Sequence, residues 1–528
     1  MSARRDRGVA LAALSLIAGC APSKRDAPKP EAPQSEAVEA RASHSNDADR
    51  PCDSLSPPAA LELVSFTSAE ALAQTCRDGR PACKNASHPK ISADGTRVAF
   101  DCDAPDMLIG ATPPAGVTQI YVRDVERRRT VLVSGRSTEG QVVFANESTG
   151  FPELSGDGNW VVFASKASNL VEGDAEGLED VFACEVDAQR IVRLSQGFDG
   201  TEFDAASSDP SVSHDGRFVA FSSAATNIGP VFAAGGSGQV AAPTDGLVHI
   251  YLVDRTVRRF EWLDRGTSQL AGDVASGDPG ADRDVASQPV ISGDGAVIAF
   301  TSTARTLAGE DGNDGQLDIF ACRRATGAVE LVSVAFESAR GGDGVSRKPH
   351  VSGDGRFVVF EGTATDITPP GVDTNNQSDV FVRDLELGLS ARVSVSSTGG
   401  QANGSSGYGA LSFDGRYVAF SSSARNLVPN DTTRGFLDFF VQDRDVSGDG
   451  FFDEPGDICT RRMSITPEGV QANARSGGNC GLSADGRFVV FMSESNLLHP
   501  GDDNGVDDKL KCSPTCLFGR DVFRARVY

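Results

Sequence analysis

Positive charge is scarce in this chain. It has 49 Lys and Arg against 73 Asp and Glu, a formal net charge of −24 over 528 residues. An acidic surface repels the phosphates of nucleic acid and is not drawn to anionic lipid by charge. No histidine stands in an HExxH or GxSxG context, which leaves the common zinc-peptidase and serine-hydrolase signatures without support. The six histidines (His44, His88, His214, His249, His350 and His499) are scattered, and there is no CxxC pair, so a zinc site has no framework. These histidines are expected to be solvated turn and strand-edge residues. Aromatic content is only 7%, yet apolar content is 39% and there are 57 Gly. That balance fits many short strands and turns rather than a disordered chain.

What is present is a repeat. The pattern apolar-Ser-x-Asp-Gly-x-x-apolar-apolar-Phe occurs seven times, as in Val351-Ser352-Gly353-Asp354-Gly355-Arg356-Phe357-Val358-Val359-Phe360. Its aspartates are Asp94, Asp157, Asp215, Asp294, Asp354, Asp414 and Asp485, at intervals of 63, 58, 79, 60, 60 and 71 residues. A unit of this size repeated through a chain marks an array architecture. Asp-Gly between apolar runs is a hairpin signal, and the spacing predicts a type I′ turn with both residues at positive φ. A β-branched, aromatic run follows each turn. A second comes about 20 residues later, such as Asp318-Ile319-Phe320-Ala321, and a third follows in six units. With the short run before the turn, each unit has four strands, the content of one propeller blade. The expectation is all-β: a seven-bladed β-propeller over residues 61–528.

The chain ends sharpen this. The seventh unit stops at Tyr528, after its third strand. Before the first turn lies Glu62-Leu63-Val64-Ser65-Phe66, a close match to Glu330-Leu331-Val332-Ser333-Val334. The N-terminal strand is therefore expected to complete the last blade and close the ring, leaving no open sheet edge. A monomer is expected.

Residues 1–19 read as a targeting segment. Arg4, Arg5 and Arg7 precede an apolar core, Val9 to Ala18, too short to span a bilayer. It ends in Leu16-Ile17-Ala18-Gly19-Cys20, which resembles the lipobox of bacterial lipoproteins. That resemblance implies cleavage before Cys20 and lipidation of Cys20. Ala21, in place of an Asp, points to the outer membrane of a diderm host, on its periplasmic or its surface face. Residues 20–60 are rich in Pro, Ala, Glu, Ser and Asp without apolar periodicity, the composition of a tether. Such a tether has a reach of roughly 35 Å. Of the 11 cysteines, ten remain once Cys20 is set aside, an even count that fits an oxidising compartment. Cys76 with Cys83, Cys512 with Cys516 and Cys459 with Cys480 are the candidate disulfides. Cys184 and Cys322, at matching strand positions, are expected to be small buried apolar residues.

Two features invite a chemical reading. The repeated Asp of the turns would set seven carboxylates around one face, but Asp at a turn bonds its own backbone, and structure is the stronger reading. The loops between second and third strands are rich in Asp, Asn and Gly, as in Gly173-Asp174-Ala175-Glu176-Gly177 and Asn430-Asp431-Thr432-Thr433, and read as exposed turns. More specific is Asp445-Val446-Ser447-Gly448-Asp449-Gly450-Phe451-Phe452-Asp453-Glu454. It resembles the front of an EF-hand loop, with Asp445, Ser447, Asp449 and Asp453 at ligand positions for calcium. Position 12 is Gly456 rather than Glu; Asp457 or Glu454 is the available substitute.

The unit Ser-x-Asp-Gly-Arg-Phe-Val-Ala-Phe, then Asp-Val-Phe-Val-Arg-Asp, then Val-Ser, resembles the propeller repeat of TolB-type proteins. The resemblance covers residues 61–528 and implies a periplasmic interaction scaffold. The chain lacks the separate N-terminal α/β domain of that family, so fold carries over and partner does not. The leading expectation is a lipid-anchored, non-enzymatic envelope scaffold that binds a protein or peptide at a ring face or in the central channel. A carbohydrate-binding or adhesion module is the alternative. So is a polysaccharide or peptide hydrolase or lyase with residues on the insertions Gly229 to Thr244 and Arg444 to Asp457. A channel lined by aromatics and carboxylates would favour sugar; a large apolar patch on one face would favour protein.

Overall fold

Each Ser-x-Asp-Gly segment folds into the same hydrogen-bonded turn. The serine hydroxyl donates to the Asp carboxylate at 2.5–2.8 Å in all seven. The same hydroxyl accepts the amide of the residue five positions on, as Phe357 N–H does on Ser352 at 2.9 Å. The Asp carboxylate also accepts the amide two residues ahead, for example Arg356 N–H at 3.0 Å. The glycine amide closes the turn on the serine carbonyl, Gly355 to Ser352 at 2.9 Å. Only the glycine is left-handed: Gly355 has φ +74°, and none of the seven aspartates has positive φ. The expected type I′ geometry is therefore corrected. Four residues, not two, make the connection, and the Asp serves by accepting hydrogen bonds rather than by adopting a left-handed backbone.

The computed structural model describes residues 57–65, 85–265, 286–499 and 520–528, apart from 106, 109, 139, 140, 175, 176, 237, 306, 309–312, 314 and 434. Among them there is no helix. The turns organise seven antiparallel blades. Blade 1 consists of Ser87–Ile91, Arg97–Cys102, Gln119–Asp124 and Arg129–Leu132, from the axis outwards. Blades 2, 4, 5 and 6 repeat this order, with inner strands Thr149–Leu154, Ala286–Ile291, Ser346–Val351 and Ser406–Leu411. Blade 3, with inner strand Ser207–Val212, is widened by the insertion 229–244. Its strand Val231–Ala233 pairs in parallel with the outer strand Arg259–Trp262 and carries Gln239–Val240. An extra hairpin, Gly135–Thr138 with Gln141–Phe144, joins blades 1 and 2.

Blade 7 is composite. Gly481–Leu482, Phe488–Ser493 and Asp521–Arg526 come from the C-terminal region, and the fourth strand is Ala60–Leu63. Ala60 stands opposite Arg526 and Leu63 opposite Phe523. The Ser65 hydroxyl donates to Asp521 at 2.7 Å, just as Ser333 does to Asp318 in blade 4. The similarity of the segments around Ser65 and Ser333 thus has a geometric meaning: both are outer strands of a blade.

The phenylalanines of the repeat pair across strands. Phe100–Tyr121, Phe163–Phe182, Phe221–Tyr251, Phe300–Phe320, Phe360–Phe381, Phe420–Phe440 and Phe491–Phe523 sit 5.7–6.2 Å apart, one pair per blade. Such pairs contribute about 0.5–1.5 kcal/mol beyond area burial. Apolar clusters fill each gap between neighbouring blades. The one between blades 7 and 1 joins Val64, Val490 and Val522 to Val98, Phe100 and Tyr121. Cys184 and Cys322 are free, fully buried and packed in these cores, as expected. Cys480 is a free buried thiol, so the expected Cys459–Cys480 bond is absent. Cys20, Cys76, Cys83, Cys512 and Cys516, with the signal segment and most of the tether, lie outside the described residues.

Candidate functional site

The inner strands line the ring axis, and five of them carry a proline: Pro89, Pro152, Pro210, Pro289 and Pro349. An inner strand has a free side towards the channel, where a missing N–H costs nothing. The residue before each proline is left-handed: His88 (φ 49°), Phe151 (52°), Asp209 (50°), Gln288 (52°) and Lys348 (52°), joined by Tyr408 (59°) ahead of Gly409. In all six strands the pairing register shifts at this point. A left-handed residue other than Gly costs roughly 1–2 kcal/mol. Strain repeated around one ring, at bulges that re-aim side chains, marks a place held for a purpose.

These residues form the rim of a funnel of about 570 Å³ to which all seven blades contribute. Phe151 is 65% exposed and packs against the His88 ring, centroids 4.0 Å apart and planes tilted by 36°. His88 is held by Asp101 at 2.6 Å. Across the axis, Lys348 Nζ lies 3.4 Å over the Tyr408 ring and 3.2 Å from Glu361, which also binds Arg347 at 2.6 Å. Glu179 and Asp209 stand side by side on the wall of blades 2 and 3. Burial raises the Glu179 carboxyl above its ordinary range, and the charge of Asp209 adds to this while Lys166 opposes it. The amides of Gln288 and Asn479 complete the lining.

Below the rim, Lys90 and Glu153 form an ion pair at 2.6 Å. Beside them, burial and the charge of Lys90 push His350 down to about 3, so its ring is neutral. The Leu411 amide donates to His350 Nδ1 at 3.3 Å, which leaves Nε2 as the protonated nitrogen. Deeper still the space narrows to about 150 Å³. There the variable residue of each Ser-x-Asp-Gly turn accepts an amide from the neighbouring blade. The carbonyls of Gly156, His214, Gly293, Gly353, Phe413, Ala484 and Ala93 are all engaged at 2.7–3.0 Å, the last by Ala484 N–H. A closed belt of seven hydrogen bonds thus rings the axis at this level.

The expectation of solvated histidines fails at two positions. His350 lies in the funnel, and His249 is 1% exposed, held between Asp264 (3.0 Å) and Asp245 (3.2 Å). The seven turn aspartates are absorbed in their own turns, in line with the structural reading. Two of the Asp-rich loops are more than exposed turns. Asp174 and Asp431 turn inward to the buried guanidinium groups of Arg193 (3.7 Å) and Arg462 (3.2 Å). Asp373 does the same with Arg392 at 3.8 Å. In the cluster Asp174, Asp180 and Glu202, Arg193 already supplies the cation, 3.1 Å from Glu202.

Asp445, Ser447 and Asp449 do come together. Asp445 accepts the amides of Gly448, Asp449 and Gly450 at 2.8–3.1 Å, and Ser447 Oγ at 3.2 Å. Asp453 is directed elsewhere, to Arg444 at 2.9 Å. Asp457 takes its place: its carboxylate lies within 4.8 Å of those of Asp445 and Asp449. The groups in this loop placed so that they could hold a metal ion are therefore Asp445, Asp449 and Asp457. The insertion 229–244 brings no acid or base to the axis; it packs on the outer edge of blade 3.

The rim residues differ in every blade and so belong to no repeated motif. Their signal was the X-Pro pair ahead of five of the seven repeat serines, with Gly409 and Cys480 in the proline's place in the other two.

No protein-family model matches the chain, and no curated protein matches it in sequence. Solved structures do. TolB from Acinetobacter baumannii is 13% identical, with 74% of this chain and 70% of that one covered and a TM-score of 0.33. An oligogalacturonate lyase from Vibrio parahaemolyticus is 10% identical, covering 85% and 91%, with a TM-score of 0.43. The β-propeller domain of the Trilobed protease from Pyrococcus furiosus is 9% identical, covering 78% and 91%, with a TM-score of 0.41. In fold, the chain is a seven-bladed β-propeller closed by its N-terminal strand.

Proposed function

We propose that this chain is a non-enzymatic binding scaffold of the cell envelope, anchored by lipid at Cys20, and that its ligand is a saccharide bound in the axial funnel. The carrying observation is the lining. An exposed aromatic face, Phe151, stands beside the carboxylates Glu153, Glu179 and Asp209 and the amides Gln288 and Asn479. Carboxylates and amides accept and donate to hydroxyl groups, while an aromatic face takes the apolar side of a sugar ring. The volume is that of an ordinary ligand site.

A protein partner would call for a contiguous apolar face. Among the described residues, five of the large exposed apolar side chains, Phe198, Phe336, Phe436, Leu387 and Leu497, belong to five different inter-strand connections. A role as scaffold rather than catalyst is supported by the state of the groups at the base of the funnel. Lys90 is tied to Glu153, and His350 is neutral and holds its proton on Nε2, which leaves no free base at that nitrogen.

The test is a glycan array of defined bacterial and plant oligosaccharides probed with the folded propeller. Binding to at least one class is expected, with Phe151→Ala weakening it about tenfold, the usual loss for an aromatic anchor. Binding that is indifferent to Phe151→Ala and to Glu153→Gln would remove the funnel as the site.

A further inference from the structure

We infer that the saccharide contains an amino sugar with its amine free, and that the ammonium group seats between Glu179 and Asp209. This rests on the saccharide reading above and adds the chemical class of the sugar. The observation is an uneven spread of charge around the funnel. Lys90 is matched by Glu153. Arg347 and Lys348 share one carboxylate, Glu361, so the blade 5 side carries a spare positive charge. Glu179 and Asp209, on the wall of blades 2 and 3, have no cation of their own. Among the described residues, no Lys, Arg or His lies within ion-pair distance of either.

The fold holds these two acids together. The Ser207 amide donates to the Glu179 carbonyl at 2.7 Å, which ties the blade 2 loop to the inner strand of blade 3, two residues before Asp209. Asp209 is one of the left-handed residues, with φ 50°. Its Oδ2 accepts the Ser222 hydroxyl at 3.3 Å and the Gln288 amide at 3.4 Å. That fixes the carboxylate and leaves Oδ1 without a hydrogen bond among the described residues. The Glu179 carboxylate accepts none from them either. Lys166 acts on Glu179 from outside the lining, yet burial and the charge of Asp209 outweigh it, and the carboxyl stays above its ordinary range. Two like charges held side by side with open oxygens are relieved by a cation. A neutral hydroxyl would leave the repulsion in place. A calcium ion takes about six to eight oxygen ligands, and this pair belongs to no group of three side chains placed to hold a metal. An ammonium brings three N–H donors and suits two carboxylates. The spare positive charge of the blade 5 side turns the amine towards blades 2 and 3.

The experiment extends the array with glucosamine and galactosamine oligomers in two forms, free amine and N-acetylated, and measures the hits by titration calorimetry. At least tenfold tighter binding of a free-amine form is expected, with a preference that shrinks as salt is added. In the Glu179→Gln/Asp209→Asn variant, shown to be folded by its circular dichroism, that preference is lost. Equal binding of the two forms, or hits confined to sugars without a free amine, overturns the inference and leaves the saccharide reading standing. A preference that survives in the double variant belongs to the net charge of −24 and overturns the role of Glu179 and Asp209. Cadaverine bound as tightly as the free-amine oligomer overturns the saccharide reading and leaves the carboxylate pair as an ammonium site. Absence of binding to any saccharide on the array overturns the saccharide reading itself.

Discussion

His249 and Asp264 occupy positions that an Asp and a Ser hold in five other blades. Those pairs, such as Asp318–Ser333 and Asp379–Ser394, are buried and joined at 2.5–2.8 Å. In blade 3 the acid has moved to the outer strand, and Trp262 Nε1 also donates to it at 2.6 Å. Removing Asp264 strands a buried imidazole, so Asp264→Ala is expected to cost about 3 kcal/mol in urea unfolding. The double change His249→Asp/Asp264→Ser, which copies the other blades, should cost less than that single one. Burial alone would lower the His249 pKa. Hydrogen bonding to Asp264 and the charges of Asp264 and Asp245 outweigh it and hold the pKa above 6.5. A folded-state pKa above the unfolded one stabilises fully below the unfolded value. That contribution is then lost as pH rises from 6.5 through the raised value. Wild-type stability should therefore fall over this window, and the double variant should show a flatter profile. The histidine was visible in the sequence; its burial was not, because only the pairing of the third and outer strands reveals that position 264 answers position 249.

The hairpin turn is where sequence and structure agree most closely and still differ in an instructive way. Seven recurrences of Ser-x-Asp-Gly announced a hairpin, but not which residue would be left-handed. The serine decides it: by accepting the amide five residues on, it lengthens the connection and transfers the strained position to Gly alone. The glycine also admits an aromatic ring from the neighbouring blade. At Gly415 (φ +72°) a Cβ would lie 2.3 Å from Phe357 Cδ2, whereas at Gly355 (φ +74°) the nearest atom is Val297 Cγ2 at 3.1 Å. Both Gly→Ala changes carry the left-handed penalty of about 1–2 kcal/mol. Gly415→Ala adds an overpacking cost of about 1–3 kcal/mol. Thermal or urea unfolding should rank Gly415→Ala clearly below Gly355→Ala; equal losses would show that Phe357 moves aside at no cost.

For the ring as a whole, blade number and circular completion were legible because strand content repeats and the last unit runs out one strand short. The funnel was not. Its rim comes from one variable position per blade, and no local pattern distinguishes Phe151 or Tyr408 from any other residue next to Pro or Gly. Deleting residues 57–65 should leave Asp521–Arg526 as an open edge and remove the Ser65–Asp521 bond. Such a variant is expected to melt earlier and to self-associate on size exclusion, and a synthetic peptide of residues 57–66 should restore the monomer. The fastening also sets a timetable. Ser65 leaves the ribosome 456 residues ahead of its partner Asp521. At ordinary synthesis rates that is a wait of roughly 25 to 90 s. Throughout it the earliest-made segment has nothing to grip, so six sectors can mature one after another while the hoop is locked only when the final residues are delivered.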